Sequence, residues 1–431
     1  MSTYGLVSAW NALCEQLFSV FTQPTVPVFL RLLMGWVLCT GRRTITGMIP
    51  FADPLSIRSH DIYHRFFSKA SWDPQRLWKC LARLLVRTFY PTGMIPVDLD
   101  DTVFHHTGRK MEGANVWRDA VRSTGKKVVY CWGLNLVVLT LRVRPPWGGE
   151  PLGLPILIRL HRKDGPSLID LAEAMLRQVA DWFPEGSFRV GADGFYAPLA
   201  GRRIPRTHLV SRMRRDAAMY DLPSPETRVR RGPKRKKGVR LPTPTEFARR
   251  VRSGTRVRTL ERGKTKDRWV YARQVLWYKV SHEPVLLVIS RDPAGKERDD
   301  FFFATDLSMT PAEVVGAFAG RWSIEDTFKN TKQFLGAEEP QSWKGSGPER
   351  AAAIGLILYS LVWIWYLTAG YSKSVLPQTP WYPGKTHPSF ADALAALRRV
   401  LWQDRIISMF GKHTVPHHVF QFFIQAVEKA A

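Results

Sequence analysis

The sequence predicts a mixed α/β fold, with a strand-rich centre flanked by helical regions. Three observations carry that prediction. Apolar residues recur at helical spacing through residues 1–90, as in "FLRLLMGWVLC" and "RLWKCLARLLVRTF". After Pro91 they give way to runs rich in β-branched and aliphatic residues, and from Thr310 helical spacing returns. With 431 residues, 45% hydrophobic and 12% aromatic, the chain can bury the cores of two or three packed units and lacks the composition of a disordered protein.

Residues 1–90 are expected to be helical, with "SWDPQRLW" offering a polar start and Pro74 in the first turn. Arg42, Arg43, Arg58, Arg65 and Lys69 lie between the apolar runs, so this region is either a small DNA-binding unit or a helical cap on the core. Residues 91–213 read as strands "GMIPVDLD", "KKVVYCWGLNLVVLTLRV" and "LGLPILIRLHR", a helix "SLIDLAEAMLRQVADWF", and strands "SFRVGADG" and "RTHLVSRMR". That βββαββ order is the order of an RNase H-like core, which other mixed α/β folds also share. Residues 214–308 open on the exposed loop "RVRRGPKRKKGVRLPTPTE". Strand-like runs then return as "DRWVYARQVLWYKV", "PVLLVIS" and "DDFFFATDL", a β-rich insertion. Residues 309–370 resume the core. Their stretch "TPAEVVGAFAGRWSIEDTFKNTKQFL" is expected to form one long helix, opened by Thr310, Pro311 and Glu313. Residues 371–431 form a C-terminal helical region, and no internal repeat is present.

The 63 Lys and Arg against 37 Asp and Glu give a net charge of +26, which an isolated globular enzyme has no folding reason to carry. A polyanionic partner explains it. Between Arg202 and Arg273 lie 24 basic and 6 acidic residues, so 18 of the 26 net charges sit in about a sixth of the chain. Within that patch Arg230, Arg231, Lys234, Arg235, Lys236 and Lys237 are the candidate DNA-binding cluster, and a solvated flexible loop is the alternative. Cys14, Cys39, Cys80 and Cys131 show no CxxC pairing, which points to a reducing, cytoplasmic setting without a zinc site. No basic residue precedes Arg31, and no secretory signal is visible. The uncharged stretch Ala351–Gly370 has the length of a membrane span. Its Tyr359, Ser360, Tyr366 and Thr368, and its place in the second half of the core, favour a buried core helix and no membrane partner.

Two-metal phosphodiester chemistry needs carboxylates that converge on two divalent cations about 3.5–4 Å apart. Acids at the ends of core strands or on a facing helix are therefore the candidates. Asp100 closes the first strand in "PVDLDDTVF", with Asp98 on the same face by the period of two and Asp101 adjacent, so either could take its place. Asp193 closes "FRVGADGFY", where Gly191 and Gly194 let backbone approach a ligand; an Asp before Gly is also a common turn residue. On a single helix Phe318, Arg321, Glu325 and Lys332 fall within about 60° of one another, forming a polar stripe headed by an aromatic. His105 and His106 suit a loop better than magnesium, whose ligands are hard oxygens. His413, His417 and His418 lack carboxylate or cysteine company.

"FAGRWSIEDTFKNTK" resembles the signature Y-x-x-R-x-x-x-E-x-x-x-x-x-x-K of insertion-sequence transposases with a DDE triad, with Arg321, Glu325 and Lys332 in register. "LDDTVF" and "GADGFY" resemble that family's first and second acidic blocks, and the resemblance runs from about Pro96 to Trp343. It implies a catalytic, metal-binding triad of Asp100, Asp193 and Glu325, with magnesium or manganese as cofactor. It also implies cut-and-paste transposition on terminal inverted repeats and target DNA, through a synaptic complex in which the protein is a dimer. By the same resemblance Arg321 and Lys332 hold DNA phosphates, a role their charge also suits. Phe318 stands where the family has Tyr, which keeps the ring and removes a hydroxyl. Trp269 and Trp277 in the insertion are candidates for stacking on an unpaired base, with buried packing as the alternative.

Overall fold

The computed structural model describes residues 3–223, 236–261, 263–373, 376, 383–410 and 419. The chain opens with five helices: α1 (Thr3–Glu15), α2 (Val26–Leu38), α3 (Ile45–Ala52), α4 (His60–Ser68) and α5 (Pro74–Phe89). Asp73 caps α5 by accepting from the backbone N–H of Gln75, with Pro74 in the first turn where its missing N–H costs nothing.

Strands β1 (Met94–His105), β2 (Asn115–Arg118), β3 (Tyr130–Val143) and β4 (Leu152–His161) follow, then α6 (Leu168–Trp182), β5 (Ser187–Ala192) and β6 (Thr207–Arg212). β3 runs antiparallel to both β1 and β4, while β5 is parallel to β1 and β6 parallel to β5. The resulting order β4-β3-β1-β5-β6 is that of an RNase H-like core.

After helix α7 (Pro244–Arg250) come β7 (Thr255–Glu261), β8 (Lys264–Val275), β9 (Val285–Arg291) and β10 (Asp300–Ala304). These strands are not a separate sheet. β10 pairs antiparallel with β6 through Phe302 and Arg212, and β9, β8 and β7 extend the same sheet outward to ten strands.

The long helix expected from Thr310 is two helices, α8 (Pro311–Gly320) and α9 (Trp322–Leu335). Its start is as the sequence suggests: Thr310 and Glu313 form a reciprocal capping box. α8 ends in close contact with β3: a side chain at Gly320 would meet the Arg142 guanidinium at 2.8 Å, and glycine leaves room for it. Arg321 N–H turns to the Phe318 carbonyl, a tightened three-residue step.

Helix α10 (Gly347–Trp365) is long and apolar enough to cross a membrane by composition, yet nearly all of it is buried inside the protein. It packs on β4, where the Ser360 hydroxyl donates to the Pro155 carbonyl. Helix α11 (Phe390–Phe410) closes against α1 and α2. One hydrophobic cluster thus runs from the N-terminal helices through the central strands to α10 and α11, and Arg43, expected between helices, is itself buried there. His413, His417 and His418 lie outside the described residues.

Candidate active site

The site grows from β1. The sequence places its end at Asp100, but pairing with β3 continues to His105, so His105 is a strand residue. The neighbour on the other edge stops sooner: parallel pairing with β5 ends at Leu99–Ala192. Asp100 is therefore mid-strand on one side and at an open edge on the other. One further step of that register brings Asp193 beside Asp100.

Alternation separates the three acids of β1. Asp98 and Asp100 face α8 and α9, whereas Asp101 points to the opposite face and accepts from the Tyr196 hydroxyl at 2.9 Å. Asp98 is 0% exposed and pairs with Arg142, Nε at 3.0 Å and Nη2 closer, with the Ser323 hydroxyl at 3.2 Å. Gly191 does not serve ligand approach, as its flanking position suggests. A Cβ there would meet the Asp98 carboxylate at 2.5 Å and Arg142 at 2.7 Å, so the glycine makes room for this buried pair.

Asp100, with 21% of its side chain exposed, accepts from Arg321 Nη1 at 2.6 Å, and Arg321 Nη2 donates to Glu325 at 3.0 Å. One guanidinium thus joins two of the three candidate carboxylates. Asp193 follows β5 as the cap of the 3₁₀ stretch Gly194–Gly201, accepting from Phe195 N–H at 2.5 Å. Burial pushes the Asp100 carboxyl up to about 7; Arg321 opposes this, and the nearby charges of Asp101 and Asp193 reinforce it. Half-buried carboxylates are a hard-oxygen donor set with negative charge, which fits magnesium or manganese.

Asp193 and Arg321 line a cleft of about 670 Å³ between α8 and the extension strands, together with Arg212, Lys264, Lys266 and Arg268. Lys332 lies elsewhere on α9: its ammonium donates to the Val103 carbonyl at 2.6 Å, with Glu338 at 3.4 Å. Phe318 packs its ring against Phe302 and under the guanidinium groups of Arg212 and Arg321. Trp277 is buried against Phe303, while Trp269 is 37% exposed. Of the basic run, Arg230, Arg231, Lys234 and Arg235 lie outside the described residues. Lys236 and Lys237 are exposed, do not line the cleft, and Lys237 sits over the rings of Tyr220 and Tyr278.

A second cluster escaped sequence reasoning. His105, Asp119 and Cys131 bring potential ligand atoms within 4.8 Å of one another. Asp119 there already accepts from Arg122 and from the N–H groups of Val121 and Arg122, which describes an ion-paired turn.

Residues 16–145 match the family model of the DDE superfamily endonucleases, and residues 151–361 match that of the transposase DDE domain. The chain belongs to the DDE transposases. No curated protein matches it. As a transposase it is an endonuclease-type enzyme acting on DNA, in a family that generally depends on divalent metal. The candidate carboxylates fall one in the first matched segment, Asp100, and two in the second, Asp193 and Glu325.

Proposed function

We propose that this transposase cuts DNA at the inverted-repeat ends of an insertion sequence and joins the freed strands to target DNA, using Asp100, Asp193 and Glu325 with magnesium or manganese. The observation that carries the reading is the Arg321 guanidinium shared by Asp100 and Glu325, with Asp100 and Asp193 both one step past the last β1–β5 pair, Leu99–Ala192. The reading is supported by the cleft as well: Asp193, just past β5, lines it together with Arg321, the residue that holds Asp100 of β1 and Glu325 of α9. When bound there, divalent cations would activate a water or a DNA 3′ hydroxyl and stabilise the leaving oxygen. The chain's own tasks are to hold the carboxylates in register and to offer cations to the phosphates.

Arg321 is one such cation, able to pass from a carboxylate to a phosphate when DNA enters. Lys332 would act further along α9, and the basic run Arg230, Arg231, Lys234, Arg235, Lys236 and Lys237 would add sequence-independent affinity. A dimer would hold the two ends together, in the cytoplasm on the bacterial nucleoid.

The test uses the purified protein, magnesium, and duplexes carrying the sequences that flank its gene. Asp100→Asn, Asp193→Asn and Glu325→Gln should each abolish cutting and joining while still shifting the duplex in a gel. Cutting without joining by the wild type would reduce the reading to a nuclease. Cutting by Glu325→Gln at the wild-type rate would remove Glu325 from the site.

A further inference from the structure

The cleft contains more cations than it has free. Lys266 donates to Glu297 at 2.6 Å, and Arg268, with 7% of its side chain exposed, is held by Glu261 and Glu297. Arg321 is held by Asp100 and Glu325. Two cations of the cleft stand apart. Lys264 begins β8, three strands from β6 and so roughly 14 Å away across the sheet at about 4.8 Å per strand. Arg212 ends β6, has 54% of its side chain exposed, and meets Asp300 at 3.4 Å, the weaker kind of exposed ion pair.

The position of Arg212 is fixed on the side that matters. The hydroxyl of Ser211, the residue before it, donates to the Asp193 carbonyl at 2.7 Å, so strand end and acid move together. β5 and β6 are parallel, and Asp193 and Arg212 both lie at their carboxyl ends, where open α/β sheets place ligands. The guanidinium lies 5.2 Å from the Phe318 ring centre, which orients it without consuming its donors.

We propose that Arg212 is a phosphate-binding residue of the active cleft: it donates to a non-bridging oxygen of the DNA phosphodiester brought to Asp193. This rests on the reading of Asp100, Asp193 and Glu325 as the site. It also gives Phe318 a role, because a ring backed by Phe302 and covered by Arg212 supplies, through the guanidinium, the phosphate donor that a tyrosine hydroxyl would offer at that position.

The experiment measures two quantities on the full chain: affinity for a short fluorescent duplex of flanking sequence against salt, with chelator present, and the rate of strand cleavage in magnesium. Arg212→Ala should lower the slope of log affinity against log salt by about 0.9, one phosphate's worth. It should also slow cleavage on the order of 10- to 100-fold, the loss of one charge-assisted hydrogen bond. Arg212→Lys should keep the slope, and Phe318→Tyr should recover part of the rate in the Arg212→Ala background. Arg212→Gln, which keeps the stem over the Phe318 ring, guards against a folding defect and should behave as Arg212→Ala does. An unchanged slope, or a lowered slope with an unchanged rate, overturns the proposal. A cleaving Glu325→Gln protein would instead undo the reading of the carboxylates and leave the Arg212 slope as it is.

Discussion

Strand β1 carries two acid–arginine pairs two residues apart on one face, and they have opposite characters. Asp98 and Arg142 are sealed between β5 and the α8–α9 junction, joined by Ser323, with no access to the cleft. Asp100 and Arg321 stand where β5 has ended, and the same guanidinium reaches on to Glu325. The chemistry of the pairs is alike; the difference is one neighbouring strand. Where both edges of β1 are covered, a carboxylate serves folding. Where one edge opens, the next carboxylate on that face can serve a ligand.

The sharpest way to break this contrast is to neutralise each acid. Asp100→Asn should leave a folded protein whose DNA cleavage falls on the order of a thousandfold or more, as for other members of a catalytic set. Asp98→Ala should act on stability first. It leaves Arg142 buried without its partner, a loss of about 3–5 kcal/mol in urea unfolding. If Asp98→Ala unfolds like the wild type, or Asp100→Asn cleaves like it, the division of roles is wrong.

Gly191→Ala sharpens the comparison with a smaller effect. Its methyl group would press on both members of the buried pair, costing about 1–3 kcal/mol in the same unfolding experiment. Gly194→Ala, whose Cβ would meet only ordinary contacts near 3.5 Å, is the control and should cost less.

A further effect is on pH. In the metal-free fold, burial favours neutral Asp100, with a pKa of about 7 against 3.8 for a free side chain. The folded state therefore binds a proton that the unfolded chain has released. Its stabilising contribution is complete below about pH 4 and is lost as pH rises through about 7. With chelator present, the melting temperature of the wild type relative to Asp100→Asn should fall between about pH 4 and pH 7; a flat difference would show that Asp100 is not proton-linked.

Much of this fold is legible locally. The strand and helix order follows from apolar spacing, and the α8 start follows from Thr310, Pro311 and Glu313. What escaped is set by distant partners. β2 is four residues long and exists as a strand through its pairing with β3. The insertion strands are visible as strands, but that β10 docks on β6 depends on Phe302 meeting Arg212 across ninety residues. The break at Arg321 falls within residues that read as uninterrupted helix, and the close approach of Arg142 to Gly320 beside it has no mark in the local sequence. The candidate acids stand out as charges closing apolar runs, together with their family resemblance. That one arginine would join two of them, or that Arg212 would lie beside the third, has no signature in residue spacing.

The central claim is that the open end of β1, and not its sealed part, holds the metal. Crystals of the protein soaked in manganese and measured for anomalous scattering test it most directly. The account predicts a peak coordinated by Asp100, Asp193 and Glu325, with Arg321 displaced from at least one carboxylate and the Asp98–Arg142 pair unchanged. Manganese bound at Asp98, or found only beside His105, Asp119 and Cys131, would contradict it.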